Sequence, residues 1–203
     1  MVAFLHTSSS HIKRFDLLLS QNNIQTPVTH FVNEELLQSA LTDGKVDLEG
    51  FHDQINRIKE KGFLSIVCTC STYGVEADKL EGVERIDRPA VEYLLQNYKK
   101  IVVAFTANAT KVSTLTLFKE VSDSLGMVSH IEFCDCSAAW AHFENGNMEA
   151  YELAIADFIK SVAEEADAVF LAQASMEGAK KYLTTLNIEI VSSALLGVRY
   201  FLK

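Results

Sequence analysis

Short apolar runs alternate along the chain with stretches whose apolar residues recur every three or four positions. Val2–His6 is a run of strand type. His11–Gln21 follows with Ile12, Phe15, Leu18 and Leu19 at helical spacing, and Pro27–Val32 reads as a second strand. Asn33 is a good N-cap for a helix over Glu34–Leu41, which Asp43-Gly44 ends. Leu48–Lys61 carries Phe51, Ile55 and Ile58 on one helical face and closes at Gly62. Phe63–Cys70 is a continuous apolar run, as expected of a strand covered by helices on both faces.

A second cycle begins at Ile101–Thr106. The patterns predict a helix over Lys111–Leu125 ended by Gly126, a strand over Ser129–Cys134 and a long helix over Met148–Glu165. They continue with a strand over Ala168–Ala172, a helical stretch over Met176–Leu186, a strand over Ile188–Ser192 and a closing helix over Ala194–Leu202. Strands alternating with helices give βαβ units and a mainly parallel sheet.

The two cycles resemble each other. VAFLHTSSS matches VVAFTANAT as an apolar strand followed by small hydroxyl residues. FLSIVCTCSTYG matches DAVFLAQASMEG as a buried strand with a small polar exit. The expected fold is therefore α/β, with two pseudo-symmetric Rossmann-like halves and a cleft between them. Residues 1–98 form the first half, with 187–203 joining it, and residues 99–186 form the second. A chance likeness between any two α/β units is the alternative, because such units share their periods.

Composition adds exclusions. Hydrophobic residues make up 48% and charged residues 22%, with only 2 prolines and no Gly/Ser-rich or Pro-rich tract, so no flexible linker is expected. A net charge of −9 disfavours nucleic-acid binding, since an acidic surface repels phosphate backbones. MVAFLHTSSSHIKRF holds too short an apolar stretch for a secretory signal, and no run approaches the roughly 18 apolar residues that span a bilayer. A cytoplasmic protein is the expectation, with Cys68, Cys70, Cys134 and Cys136 as reduced thiols.

In open α/β sheets, ligands bind beyond the carboxyl ends of the strands. Four exits there carry small polar residues: Thr7-Ser8-Ser9-Ser10, Cys70-Ser71-Thr72, Thr106 to Thr110 with Asn108 between, and Gln173-Ala174-Ser175. Hydroxyls and free amides at such exits can hold a carboxylate, and they can equally be ordinary helix caps. Cys70, at the end of its apolar strand, reads as a proton acceptor or nucleophile with a thiolate favoured by free amides, or as a buried structural thiol. Cys68, deeper in the same run, reads as core. Cys68-x-Cys70 with Cys134-x-Cys136 could supply four thiolates to zinc, although structural sites usually space the pair by two to four residues. His6 and His11 flank the first exit, where they could assist a proton transfer or simply cap. Arg85, Asp87 and Arg88 read as a solvated ion-pair cluster before a helix opened by Pro89.

The strand leading into Cys70-Ser71-Thr72 resembles the Cys-Asn-Thr or Cys-Ser-Thr signature in the first half of the aspartate/glutamate/hydantoin racemase superfamily. The resemblance covers nearly the whole chain, through the hydroxyl exit at Thr106–Thr110 and the closing strand and helix IVSSALLGVRYFL. It implies a cofactor-independent isomerase or lyase acting on a small carboxylic acid, with no metal, no membrane partner and a homodimeric assembly. In that superfamily a cysteine from each half faces one stereocentre. Here Cys70 is the implied catalytic thiol, and Thr7, Ser8, Ser9, Ser71, Thr72, Thr106, Asn108, Thr110, Gln173 and Ser175 are the implied substrate-binding set. Gln173 stands where the second cysteine belongs. The resemblance thus points to a single-cysteine enzyme, through racemisation, isomerisation or decarboxylation, or to a carboxylate-binding homologue that has lost catalysis.

Overall fold

The computed structural model describes residues 1–42 and 45–202. The expected Asp43-Gly44 helix stop lies outside the described residues. The first sheet contains β1 (Val2–His6), β2 (Val28–Val32), β3 (Ser65–Cys68) and β4 (Val83–Arg85) in the order β2-β1-β3-β4. The second contains β5 (Lys100–Phe105), β6 (His130–Asp135), β7 (Ala168–Leu171) and β8 (Glu189–Ser192) in the order β6-β5-β7-β8. Every pairing is parallel.

The registers of the two sheets superimpose. Val2 pairs with Val28 and Ser65, and Ile101 pairs with Ile131 and Ala168, so the strands flanking β1 and β5 are offset by the same 103 residues, while β1 and β5 themselves are offset by 99. The pseudo-symmetric α/β architecture expected from the repeated patterns is the one observed.

Helices α1 (Ser10–Gln21), α2 (Glu34–Thr42), α3 (Leu48–Glu60) and the four-residue α4 (Gly74–Ala77) surround the first sheet. They are followed by α5 (Arg88–Asn97), α6 (Asn108–Leu125), the short α7 (Trp140–Glu144), α8 (Met148–Val162) and α9 (Ser193–Phe201). Several boundaries have clear local causes. Asp47 accepts a hydrogen bond from the Gly50 amide at the start of α3, and Asn147 does the same for Ala150 at the start of α8. Pro89 opens α5, where its missing N–H costs nothing. Gly126, at φ 63°, ends α6 in the left-handed region.

Phe51, Ile55 and Ile58 of α3 pack with Leu36 of α2 on one face of the first sheet, against Ala3, Leu5, Ile66 and Cys68. The α8 residues Tyr151, Ile155 and Ile159 cover the corresponding face of the second sheet. The opposite faces are closed by exchange. Helix α5, at the end of the first half, buries Ala90, Val91, Leu94 and Leu95 against Ile101, Val103 and Phe170 of the second sheet. Helix α9 buries Ala194, Val198 and Leu202 against Phe4 and Val67 of the first, beside Phe15 of α1. Gly197 permits that approach, since a Cβ there would collide with Ile86.

Four readings change. The apolar run at Phe63–Cys70 is a strand only over Ser65–Cys68, because the chain turns at Cys70 into a 3-10 segment, Ser71–Tyr73. The helical stretch expected over Met176–Leu186 is 3-10 geometry over Ala174–Tyr182. Strand β4 was not expected, having only three residues and a charged one at its end. Arg85 and Asp87 are not solvated. Arg85 is 1% exposed and Asp87 fully buried, paired in a fork of 2.6 and 3.0 Å, with Asp78 at 3.1 Å and Ser113 of α6 at 3.2 Å completing the guanidinium's bonds. A side chain at Gly74 would collide with that guanidinium, so the turn after Cys70 rests directly on the ion pair.

Candidate active site

The strand exits of the two halves meet. Ser71 Oγ donates to the Ala172 carbonyl at 2.6 Å, and the hydroxyls of Thr72 and Thr110 lie 3.2 Å apart. Between them is a cavity of about 30 Å³ lined by Thr7, His11, Cys70, Ser71, Thr72, Thr110, Gln173 and Ser175, with Leu37, Trp140 and Phe143 over it. That volume has room for a water or two and none for an amino acid.

The lining repeats the internal symmetry. Cys70 and Gln173, Thr72 and Ser175, and Leu37 and Trp140 are each 103 residues apart, the offset of the strands that carry them. His11 and Thr110 share the 99-residue offset that relates β1 to β5.

Of the residues expected at the site, Cys70, Thr7, Ser71, Thr72, Thr110, Gln173 and Ser175 come together on this cavity. Thr106 sits behind it, its amide and hydroxyl donating to Gln173 Oε1 at 2.6 and 3.0 Å. Ser8, Ser9 and Asn108 do not line it. Ser8 bonds Ser10 on the surface, the Ser9 amide donates to Glu34, and Asn108 is exposed on the first turn of α6. The residues over the cavity were not anticipated. Trp140 stacks on Phe143 with centroids 4.6 Å apart. The lone tryptophan in SAAWAHF was the available signal, but nothing in its spacing tied it to an exit more than thirty residues distant.

Cys70 is 8% exposed. Burial pushes its thiol up, opposed by the Thr7 side chain and the Thr72 and Tyr73 amides, which favour a thiolate. The thiolate expected at rest is therefore a protonated thiol. Burial pushes the Cys68 thiol up as well, consistent with a core residue. His6 donates or accepts at Thr69 Oγ1 and His30 Nδ1, both at 2.7 Å, and burial holds its pKa down to about 2. Burial, then the neighbouring Arg14, holds His11 down to about 4. Three buried polar atoms of the lining have no hydrogen-bond partner: Thr7 Oγ1, His11 Nδ1 and Trp140 Nε1. The Thr7 hydroxyl is near enough to steady a thiolate yet forms no regular bond to the thiol.

Beyond Phe143 and Ser175, which line both spaces, lies an open groove of about 700 Å³ between α1 and the 3-10 segment Ala174–Tyr182. Leu17, Leu18 and Met148 give it an apolar floor, and Lys13, Arg14, Lys180 and Lys181 rim it. Buried Glu152 holds Arg14 at 3.0 Å and Lys181 at 2.8 Å. The zinc reading fails on placement. Cys68 and Cys70 belong to the first half's core, Cys134 and Cys136 to the second's, and no cluster of His, Cys, Asp or Glu among the described residues could hold a metal ion. No helix among them is long and apolar enough to cross a membrane.

No protein-family profile matches the sequence, and no curated protein is significantly similar to it. Solved structures are similar over almost the whole chain. The aspartate racemase of Picrophilus torridus matches with a TM-score of 0.73 at 16% identity, over 98% of this chain and 93% of its own. A glutamate racemase from Bacillus anthracis matches at 0.73 and 12% identity, over 98% and 79%. The allantoin racemase of Klebsiella pneumoniae matches at 0.66 and 15%, over 98% and 84%. The chain has the fold of these racemases.

Proposed function

We propose that the chain is a racemase-like isomerase that acts on a small carboxylic acid in the cavity between its halves, with Cys70 handling the proton next to the carboxylate. The observation that carries this reading is the pairing of Cys70 with Gln173 at equivalent strand exits on one small cavity, in a fold shared with aspartate, glutamate and allantoin racemases. Thr7 Oγ1 and Trp140 Nε1, buried and without partners, are the donors available to a carboxylate or to the enolate-like charge that develops on it. Substrate reaches them from the 700 Å³ groove by displacing Phe143 and Trp140, because the closed cavity is too small for it. Acid–base groups of the chain carry the proton steps without a cofactor, and the working form on this reading is a cytoplasmic homodimer.

Gln173 supports a second reading. Its carboxamide oxygen is held by Thr106 and its side chain neither gives nor takes a proton, so the second half supplies no thiol. A lyase that protonates one face only, or a carboxylate-binding protein without turnover, fits that feature. The test is to incubate the protein with each enantiomer of aspartate, glutamate and allantoin in deuterated water. NMR follows α-proton exchange and circular dichroism follows inversion. Exchange supports the isomerase reading. Binding by calorimetry with no exchange supports the binding protein, and neither result for any of the compounds sets both readings aside.

A further inference from the structure

Among the described residues lining the cavity, only Cys70 and His11 titrate. His11 is 7% exposed, and its Nδ1 is buried with no hydrogen-bond partner, although the polar atoms of a folded interior are almost always paired. It projects from the first turns of α1, directly after the β1 exit, while Cys70 follows the adjacent strand β3. Thr110, its counterpart in the second half, is already engaged with Thr72. Both titratable groups line the same small cavity of about 30 Å³. The charged and titratable groups around the imidazole are Cys70 across the cavity, His6 with ring centroids 5.9 Å away, and Arg14 farther along α1. The elements facing it from above contribute apolar Leu37, Trp140 and Phe143.

We propose that His11 is the proton partner of Cys70, an assignment that rests on the reading of Cys70 given above. With its ring proton on Nε2, the unpartnered Nδ1 keeps a lone pair free to accept a proton. The S–H bond of Cys70 breaks, its proton bonds to Nδ1, and the electron pair stays on sulfur. The thiolate takes the substrate's α-proton, restoring S–H. The imidazolium then gives its proton to the carbon that carries the charge, restoring the neutral ring. Both groups return to their resting forms, and no oxidant or cofactor enters the cycle. Burial keeps the thiol protonated and the imidazole neutral at rest, which assigns acid and base before substrate arrives and makes the transfer to Nδ1 an uphill step of the cycle. The arrangement also supplies a second proton-carrying group where Gln173 has none.

The direct test needs no substrate. In protein labelled at cysteine Cβ and histidine Cε1, both resonances are followed by NMR from pH 5 to pH 10. The expected result is mutual titration. The His11 resonance moves as Cys70 ionises, this movement disappears in Cys70→Ser, and the Cys70 midpoint shifts by about half a unit or more in His11→Leu. His11→Gln, which keeps a polar side chain but carries no proton, guards against misfolding of the leucine variant, and circular dichroism checks both. Independent titration of the two residues overturns the proposal. Where exchange into aspartate or glutamate is measurable, His11→Gln should lower kcat about 100-fold with little change in KM, and an unchanged kcat overturns the proposal as well. Absence of any exchange in the unmodified protein defeats the isomerase reading alone, since the titration still decides whether His11 and Cys70 form a pair.

Discussion

The two halves share one frame and differ in what they bring to the cavity. At equivalent positions the first half places Cys70 and His11, and the second places Gln173 and Thr110. The titratable side chains sit on one side, and those that can only hydrogen-bond sit on the other. The next strand over shows the same asymmetry. Arg85 of β4 forms a buried ion pair with Asp87, whereas its counterpart Ser192 of β8 caps α9 through the Leu195 amide at 3.3 Å. Backbone register and core packing tolerate divergence of this kind because the exits contribute little to either, so a duplicated scaffold can keep its shape while its chemistry becomes one-sided.

The sharpest break of that comparison is a pair of substitutions at the cavity. Cys70→Ala should reduce α-proton exchange by about 10³- to 10⁴-fold, the range of a lost acid–base group, while Gln173→Ala should cost about tenfold or less. Equal losses, read by deuterium incorporation, would erase the proposed division of labour.

Next in size is the ion pair. Asp87→Ala leaves Arg85 charged and enclosed and should destabilise the fold by about 3–5 kcal/mol in urea unfolding. Ser192→Ala, at the matching position, removes only a cap and should cost about 1 kcal/mol.

The histidines make the first half acid-sensitive. His6 and His11 are held below their unfolded value, to about 2 and about 4, so the unfolded chain binds protons that the folded chain refuses. Their contribution is fully present above about pH 6.5. It is lost as pH falls toward 4, at about 1.4 kcal/mol per pH unit for each histidine. His11→Gln should flatten that decline in chemical unfolding measured between pH 7 and pH 4.5.

The smallest effect concerns the residues over the cavity. Trp140→Ala should speed alkylation of Cys70 by iodoacetamide about tenfold, measured by peptide mass spectrometry. Leu37→Ala should change it less, since the stacked Trp140–Phe143 pair is the cover on the groove side.

Much of this frame was legible in the sequence. The strands were readable because buried parallel strands are continuous apolar runs, and the halves because Thr7 and Cys70 recur as Thr106 and Gln173. What was illegible has physical causes. Strand β4 ends in Arg85, whose burial depends on Asp87, Asp78 and Ser113 meeting in space, and no local pattern reports that. Trp140 and Phe143 lie on a short helix whose exposed neighbours hide its role. The segment after Gln173 has helical composition but winds as 3-10 geometry, under a Glu152 carboxylate that Gly178 alone can admit. The sequence places His11 beside the first exit, to assist a proton transfer or simply cap, but no local pattern reports that its ring nitrogen would be buried without a partner on the cavity lining.

The exchange of α5 and α9 has a consequence for how the protein is made. During synthesis, Phe4, Phe15 and Val67 emerge early, but the residues that cover them, Ala194, Val198 and Leu202, are among the latest of the described chain to leave the ribosome. The first sheet must wait with one face covered only by α1 while some hundred further residues are added. A nascent chain halted midway therefore presents a sticky, half-dressed sheet, a natural client for a chaperone, and neither half is expected to survive when expressed without the other.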